Sequence, residues 1–349
     1  LFALPVFCFV KRIHHLRSES YKPALFWLSF FALFWATCLL FAGGFTTSIR
    51  AGMAFLDWPL SNGSLNPCGW LSEEDQLAEH SHRLLGIKMG LISLCIFGWT
   101  YLREGRPWVR MLARLLVWVV VLQGVLGGAR VRLDQLNLLT EHNHLAQVFA
   151  VLHACGAQVT LCLLVSITVA LSRVWIERSD RPVNSVLHRW AWLSVGVLFI
   201  QLILGAVMRH SDAALAIPTF PLTPEGGVIP AAWSFPVAIH FAHRVGALGV
   251  FCVLSCFIFR SLRVYTLKRF EGWVSLGIAC LLCVQILLGA TVVWTAKNPY
   301  SATIHMLIGA FLLASVWMLT FLGLQPKLQK PVFKKRIPSI STVIHESAI

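Results

Sequence analysis

The sequence predicts an all-α, polytopic membrane protein with eight transmembrane helices in two pseudo-symmetric four-helix bundles. Three observations carry this prediction: long apolar runs separated by basic residues, too little charge for a soluble domain, and an internal repeat. Of 349 residues, 57% are hydrophobic and 13% charged, with 14 Trp and 23 Phe, and the mean hydropathy is +0.72. Soluble domains carry about 25% charged residues, so an ordinary globular protein is excluded. The net charge of +14 does not mark a nucleic-acid partner, because the basic residues are strung between apolar runs rather than gathered on one face.

A helix that crosses a bilayer needs about 20 mostly apolar residues. Runs of that kind lie at 24–46, 81–102, 111–129, 146–172, 190–209, 237–259, 273–295 and 302–324. The longest stretches between them, 47–80 and 210–236, are too short to form domains with their own cores, so function has to sit in the bundle or at its rim. Most of the 29 basic residues fall in the Lys11–Lys22 segment, 103–114, 173–189, 260–269 and 327–336. The positive-inside rule then places both termini in the cytoplasm and the two long loops outside. The expected organisation is a cytoplasmic segment 1–23, a first unit 24–172, a cytoplasmic linker 173–189, a second unit 190–324 and a basic tail 325–349 lying against anionic lipid. Residues 1–10 are apolar but too few to span, and Lys11-Arg12 follows them, the reverse of a signal peptide. With no initiator Met, the start reads as trimmed. The lack of an Arg- and Ser-rich transit stretch favours a bacterial inner membrane over a mitochondrial one.

The second half echoes the first at an offset of about 162 residues. Gly43-Gly44 matches Gly205-Ala206, and Trp58-Pro59-Leu60 matches Phe220-Pro221-Leu222. Glu79-His80-Ser81-His82-Arg83 matches His240-Phe241-Ala242-His243-Arg244, Gln123–Gly127 matches Gln285–Gly289, and Leu152-His153 pairs in order with Ile304-His305. Units of four helices repeat in parallel, about an axis along the membrane normal.

Ionisable residues within a membrane default to a functional reading. His82, His153, His243 and His305 are expected in the first turn or two of even-numbered helices, two per unit on different helices. That arrangement suits axial ligation of a planar macrocycle inside a bundle. Arg83 and Arg244, next to two of these histidines, would pair with its propionates. The bland alternative, histidines hydrogen-bonded between helices, fits a lone residue better than four in a duplicated pattern. His80 points away from His82, since residues two apart on a helix do not share a face. His142 and His144, in a Glu-His-Asn-His stretch, read as a solvated loop, with a copper or zinc site as the alternative. His14, His15, His188, His210 and His345 fall at ends and loops. Glu79 lies one turn outside His82 on the same face, while its counterpart His240 is no carboxylate. An exposed helix-terminal acid is the alternative reading; the asymmetry points to chemistry in the first unit and electron supply in the second.

These residues resemble the haem A synthases (the CtaA/Cox15 group) from about Leu25 to Leu324. The resemblance rests on Glu79-x-x-His82-Arg83, His243-Arg244, His153, His305 and the outer segments Gly43–Pro59 and Leu204–Leu222. It implies oxidation of the C8 methyl of haem O to a formyl group, giving haem A for cytochrome oxidase. It further implies haem b iron on His243 and His305, substrate haem between His82 and His153, and Glu79 as the catalytic carboxylate, within hydrogen-bonding reach of the reaction directly or through a water. The Arg common after the first Gly-Gly-x-Thr is Thr47 here, so Arg50, Arg130 or Arg132 would take its propionate contact. Ile217 and Thr219 stand where the second segment often has Cys and Asp. Cys68 is the only one of ten cysteines in an outer loop, so no outer-loop disulfide within the monomer is expected. Cys252, Cys256, Cys280 and Cys283 are expected to pack as small hydrophobes. The implied partners are haem O and its farnesyltransferase source, membrane lipid and an unidentified electron acceptor, with a homo-oligomer left open. A non-catalytic bis-His cytochrome b and a haem-delivery or assembly protein are the alternatives to the enzyme.

Overall fold

The structure, a computed structural model, describes residues 20–137, 144–177 and 184–324; residues 1–19 with His14 and His15, His142, 178–183 of the linker and the basic tail with His345 lie outside them. Eight helices are long and apolar enough to span a membrane, and the chain is a multi-pass membrane protein. They are α1 (Pro23–Ser48), α2 (Glu74–Arg103), α3 (Pro107–Asn137), α4 (His144–Leu171), α5 (Ser185–His210), α6 (Phe235–Val264), α7 (Phe270–Trp294) and α8 (Pro299–Leu322). Among the described residues no strand forms.

Several helices overrun the apolar stretches that predict them, most of all at the C-terminus of α3, which runs to Asn137 rather than 129, and at the N-terminus of α2, which begins at Glu74 rather than 81. Hydropathy marks only the lipid-crossing part of a helix, whereas its end is set by where the first N–H groups find acceptors. Asn184 caps α5 at the Leu187 N–H, Ser234 caps α6 at Val237, and Asn298 caps α8 at Tyr300 and Ser301. His188 consequently lies within α5, accepting from the Trp192 indole at 2.9 Å, and not in a loop. The four paired histidines sit about two turns into their helices.

Within α1–α4 each helix packs on the next, and α1 closes back on α4; α5–α8 repeat the pattern, with α5 closing on α8. The two sets meet through α1, α4, α5 and α8. Large side chains such as Trp27, Phe34, Trp118, Leu248 and Leu287 face outward, while Ser29, Ala32, Ser93 and Ser194 are fully buried between helices. Lipid offers no reward for burying leucine, and small residues that allow close approach share the interior with large ones such as Leu116, Leu164 and Phe257. Cys252, Cys256, Cys280 and Cys283 are exposed on the outer faces of α6 and α7, not packed inside; Cys68 is a free, exposed thiol.

Packing is uneven along the bundle. In α4 the buried residues run from Gln158 to Leu171, and in α8 from Gly309 to Leu322. Both stretches lie towards the end rich in basic residues, where Trp108, Trp175 and Phe321 also cluster. The opposite end carries the long loops and the histidines.

At the packed end, Glu104 is held by Arg106 through Nε (2.8 Å), Nη2 (3.0 Å) and its backbone N–H (3.0 Å), and Arg106 also donates to the Ala170 carbonyl. Burial alone would raise the Glu104 carboxyl, but the hydrogen bonds and charge of Arg106 hold it below its usual value of 4.5. Its contribution is thus complete above pH 4.5 and is lost as pH falls through the depressed folded value. Glu104→Gln strands a buried guanidinium and is expected to cost about 3 kcal/mol. Thermal unfolding in detergent should show a lower midpoint at pH 7, with the gap to the parent closing below pH 4.5.

Candidate functional site

At the loop end, two histidine pairs occupy equivalent places. His82 on α2 and His153 on α4 have ring centroids 6.4 Å apart and near-perpendicular planes, at 87°. Two metal–nitrogen bonds of about 2 Å each, with a ring radius at either end, would fill that separation. His243 on α6 and His305 on α8 lie within electrostatic range of each other.

Each ring rests on a glycine of the preceding helix. A Cβ on Gly43 would stand 2.6 Å from Cε1 of His82, and on Gly127 3.3 Å from that of His153. On Gly205 and Gly289 it would stand 3.1 Å from Cε1 of His243 and His305. The repeated Gly residues are therefore spaces cut for imidazole rings, a role that their repetition alone does not reveal. Nδ1 of His82, His153 and His305 is buried without a well-formed hydrogen bond, although backbone of Leu39, Gln123 and Gln285 lies beside the three rings. Such atoms call for a partner, and a bound metal supplies one to the ring or fixes its tautomer. Gln201 completes the His243 site by donating to the His243 carbonyl at 2.9 Å, with its amide nitrogen 3.1 Å from Nδ1. Two imidazoles per unit, on separate helices, are a donor set that would fit haem iron.

Arg83 and Arg244, expected beside propionates, instead hold the outer segments. Arg83 donates to the carbonyls of Asp57 (2.6 Å), Leu60 (2.5 Å) and Phe55 (3.0 Å). Arg244 donates to Ile217 (3.0 Å) and Thr219 (2.5 Å) in the matching segment. The Trp58-Pro59 and Phe220-Pro221 peptides within these segments are both cis. Glu79 is buried, with Oε1 2.5 Å from Arg83 and Oε2 accepting the Phe55 N–H at 3.0 Å. His240, its counterpart, accepts the Ile217 N–H at 3.2 Å. Acid and imidazole thus share one structural task, and only Glu79 adds charge. His80 faces away from His82 and bonds to Ser61 at 2.9 Å.

The remaining arginines are spread around the rim. Arg50 pairs with Asp212 at 3.0 Å across exposed loops. Arg130 on α3 pairs with Asp134 at 3.5 Å and leans on Gly52, whereas Arg132 is exposed. Arg209 on α5 reaches α1, donating to the Gly44 carbonyl and, at 2.7 Å, to Ser48. Arg209 belongs to none of the repeated motifs, although an arginine closing an apolar run is a signal in itself. His144 is exposed at the start of α4, and no cluster of three or more His, Cys, Asp or Glu side chains suited to a metal ion occurs among the described residues.

Residues 26–317 match the family model COX15-CtaA, described as cytochrome oxidase assembly protein. The chain is 27% identical over 311 residues to a Heme A synthase of Bacillus cereus (strain AH187), covering 86% of this chain and 94% of that one. It is 26% identical over 277 residues to a Heme A synthase of Alkalihalophilus pseudofirmus, covering 77% and 86%. A third Heme A synthase, from Halalkalibacterium halodurans, is 27% identical over 282 residues, covering 80% and 90%.

The Arg83 contacts predict that Arg83→Gln frees the first outer segment. Amide hydrogen exchange across 55–64 should quicken about ten-fold or more, as expected from losing charge-assisted bonds, with little change in α4.

Proposed function

The chain belongs to the COX15-CtaA family of cytochrome oxidase assembly proteins, and from that membership we propose that it makes haem A by oxidising the C8 methyl of haem O to a formyl group. The observation that supports this reading most directly is the pair of opposed imidazoles, His82 and His153, 6.4 Å apart in the first unit. Haem O is the substrate there, and His243 and His305 hold a resident haem b. When bound, haem b supplies one-electron redox chemistry. The protein's own part is to fix the imidazoles through their glycine contacts, to present the substrate edge at the loop end, and to carry charge at Glu79.

Glu79 acts as the carboxylate of the first unit. Both of its oxygens are occupied, so direct proton uptake requires the Arg83 or Phe55 contact to exchange for a water or substrate. The proposed setting is a bacterial inner membrane with both termini cytoplasmic, supported by the placement of the basic residues and by bacterial relatives. A second reading, a bis-His cytochrome b that passes electrons without chemistry, gains support from one observation: Glu79 and His240 do the same work on their loops.

Expression in a host that makes haem O but no haem A separates the two readings. Extracted haems resolved by mass should include haem A; haem b alone would sink the enzyme reading and favour the cytochrome. Glu79→Gln can still accept from Phe55 but loses its charge. It should reduce haem A formation at least ten-fold while haem b content stays at parental level; full activity would remove the catalytic assignment. Gly43→Ala pushes a methyl into the His82 ring. It should abolish substrate-haem binding in the first unit, whereas Gly277→Ala, with open space around it, should leave the absorption spectrum unchanged.

A further inference from the structure

Arg209 stands out among the charged side chains near the two histidine pairs. Arg83 has Glu79, Arg130 has Asp134 and Arg50 has Asp212, while Arg244, which also lacks a carboxylate, is turned to the carbonyls of its own loop. Arg209 has an ion pair with no carboxylate among the described residues: its contacts are the Gly44 carbonyl and the Ser48 hydroxyl. Ser48 in turn bonds Thr303 of α8 at 2.9 Å, and both hydroxyl residues are buried. A cation pressed into such a wall with only neutral partners carries a desolvation cost that an anion would offset.

Its register says where that anion lies. Arg209 follows Gly205 by four residues and so shares the helix face on which Gly205 meets His243. It lies one turn nearer the loop end than the imidazole, and it is within electrostatic range of His305. In the first unit the equivalent position, four residues after Gly43, is Thr47. There the cation lies on another wall: Arg130 on α3 follows Gly127, which meets His153. The position of Arg130 in the second unit is Val292. Each pocket therefore has one arginine, a turn outside a histidine-bearing glycine, but on non-equivalent helices.

We propose that Arg209 is the carboxylate-binding residue of the second pocket, seating a propionate of the macrocycle held by His243 and His305, and that Arg130 plays this part in the first. Arg83 and Arg244 are loop anchors whose terminal nitrogens donate to loop carbonyls, with Nε of Arg244 buried and unpartnered. The two rings are thus pinned from different walls, so the duplicated units do not hold their ligands in duplicated orientations. This rests on the reading that His243 and His305 bind haem. Guanidinium suits the task because it binds a carboxylate through two parallel hydrogen bonds and keeps its charge.

The test uses the full chain in detergent, with His82→Ala and His153→Ala removing the first pocket, titrated with haemin and with haemin dimethyl ester, which has no carboxylate. Binding is read from the low-spin bis-imidazole absorption spectrum. With Arg209 present, haemin should bind about ten-fold more tightly than the ester, the scale of one charge-assisted hydrogen bond. Arg209→Gln should abolish that preference while still binding the ester, Arg209→Lys should restore part of it, and Arg244→Gln should keep it. A preference unchanged in Arg209→Gln overturns the assignment, even though haem binding stands. So does a parent with no preference, which decides the matter should Arg209→Gln fail to fold. If the parent shows no bis-imidazole spectrum with either compound, the haem reading of the second unit itself fails.

Discussion

Four imidazole rings lie edge-on against four glycines, and the architecture of the loop end depends on that contact. A side chain at Gly43 would leave the ring no room in its observed place, and one at Gly127, Gly205 or Gly289 would force the ring to give by a few tenths of an ångström. With glycine there, the ring lies along the neighbouring backbone and its direction is set by packing rather than by a flexible rotamer. The basic end performs the complementary task. The buried residues concentrated in the second halves of α4 and α8, together with the Glu104–Arg106 pair, fix the helices where no ligand is needed.

Duplication supplies the frame, and departures from it supply the functional differences. Arg83 and Arg244 clamp matching carbonyls, and Glu79 and His240 receive matching N–H groups. Against that background the differences are few and local: a carboxylate in place of an imidazole, Thr47 opposite Arg209, Arg130 opposite Val292. A resident group and a substrate place different demands on a pocket, since one must stay and the other must be exchanged. Changes of charge at a few rim positions can meet both demands without altering the bundle that the units share.

Much of the fold was legible because a bilayer imposes simple rules. Spans must be apolar and about 20 residues long, so eight helices could be counted, and histidines inside such spans stood out. The helix ends were less legible, because Ser234, Asn184 and Asn298 act through local hydrogen bonds that hydropathy ignores. The side of each helix was illegible too: in lipid an apolar residue is at home outside or inside, which is why Cys252 and Cys280 face outward instead of packing in the core. Arg83 and Arg244 were assigned a partner by their position beside histidine, but a guanidinium is long enough to turn back to the loop, and only coordinates reveal that choice. Arg209 was missed because its meaning lies in the absence of a carboxylate nearby, which no linear pattern displays.

The central claim is that the loop end holds two planar groups, each between two imidazoles. Near-infrared magnetic circular dichroism of the oxidised, purified chain, loaded with haem O and haem b, tests it directly, because the band position reports the axial ligand pair of low-spin haem. The account predicts bis-imidazole signals from two distinct haems, one lost when His82 and His153 are replaced by Ala and the other lost when His243 and His305 are. A single signal untouched by either pair of substitutions, or bands from another ligand set in both sites, would contradict it.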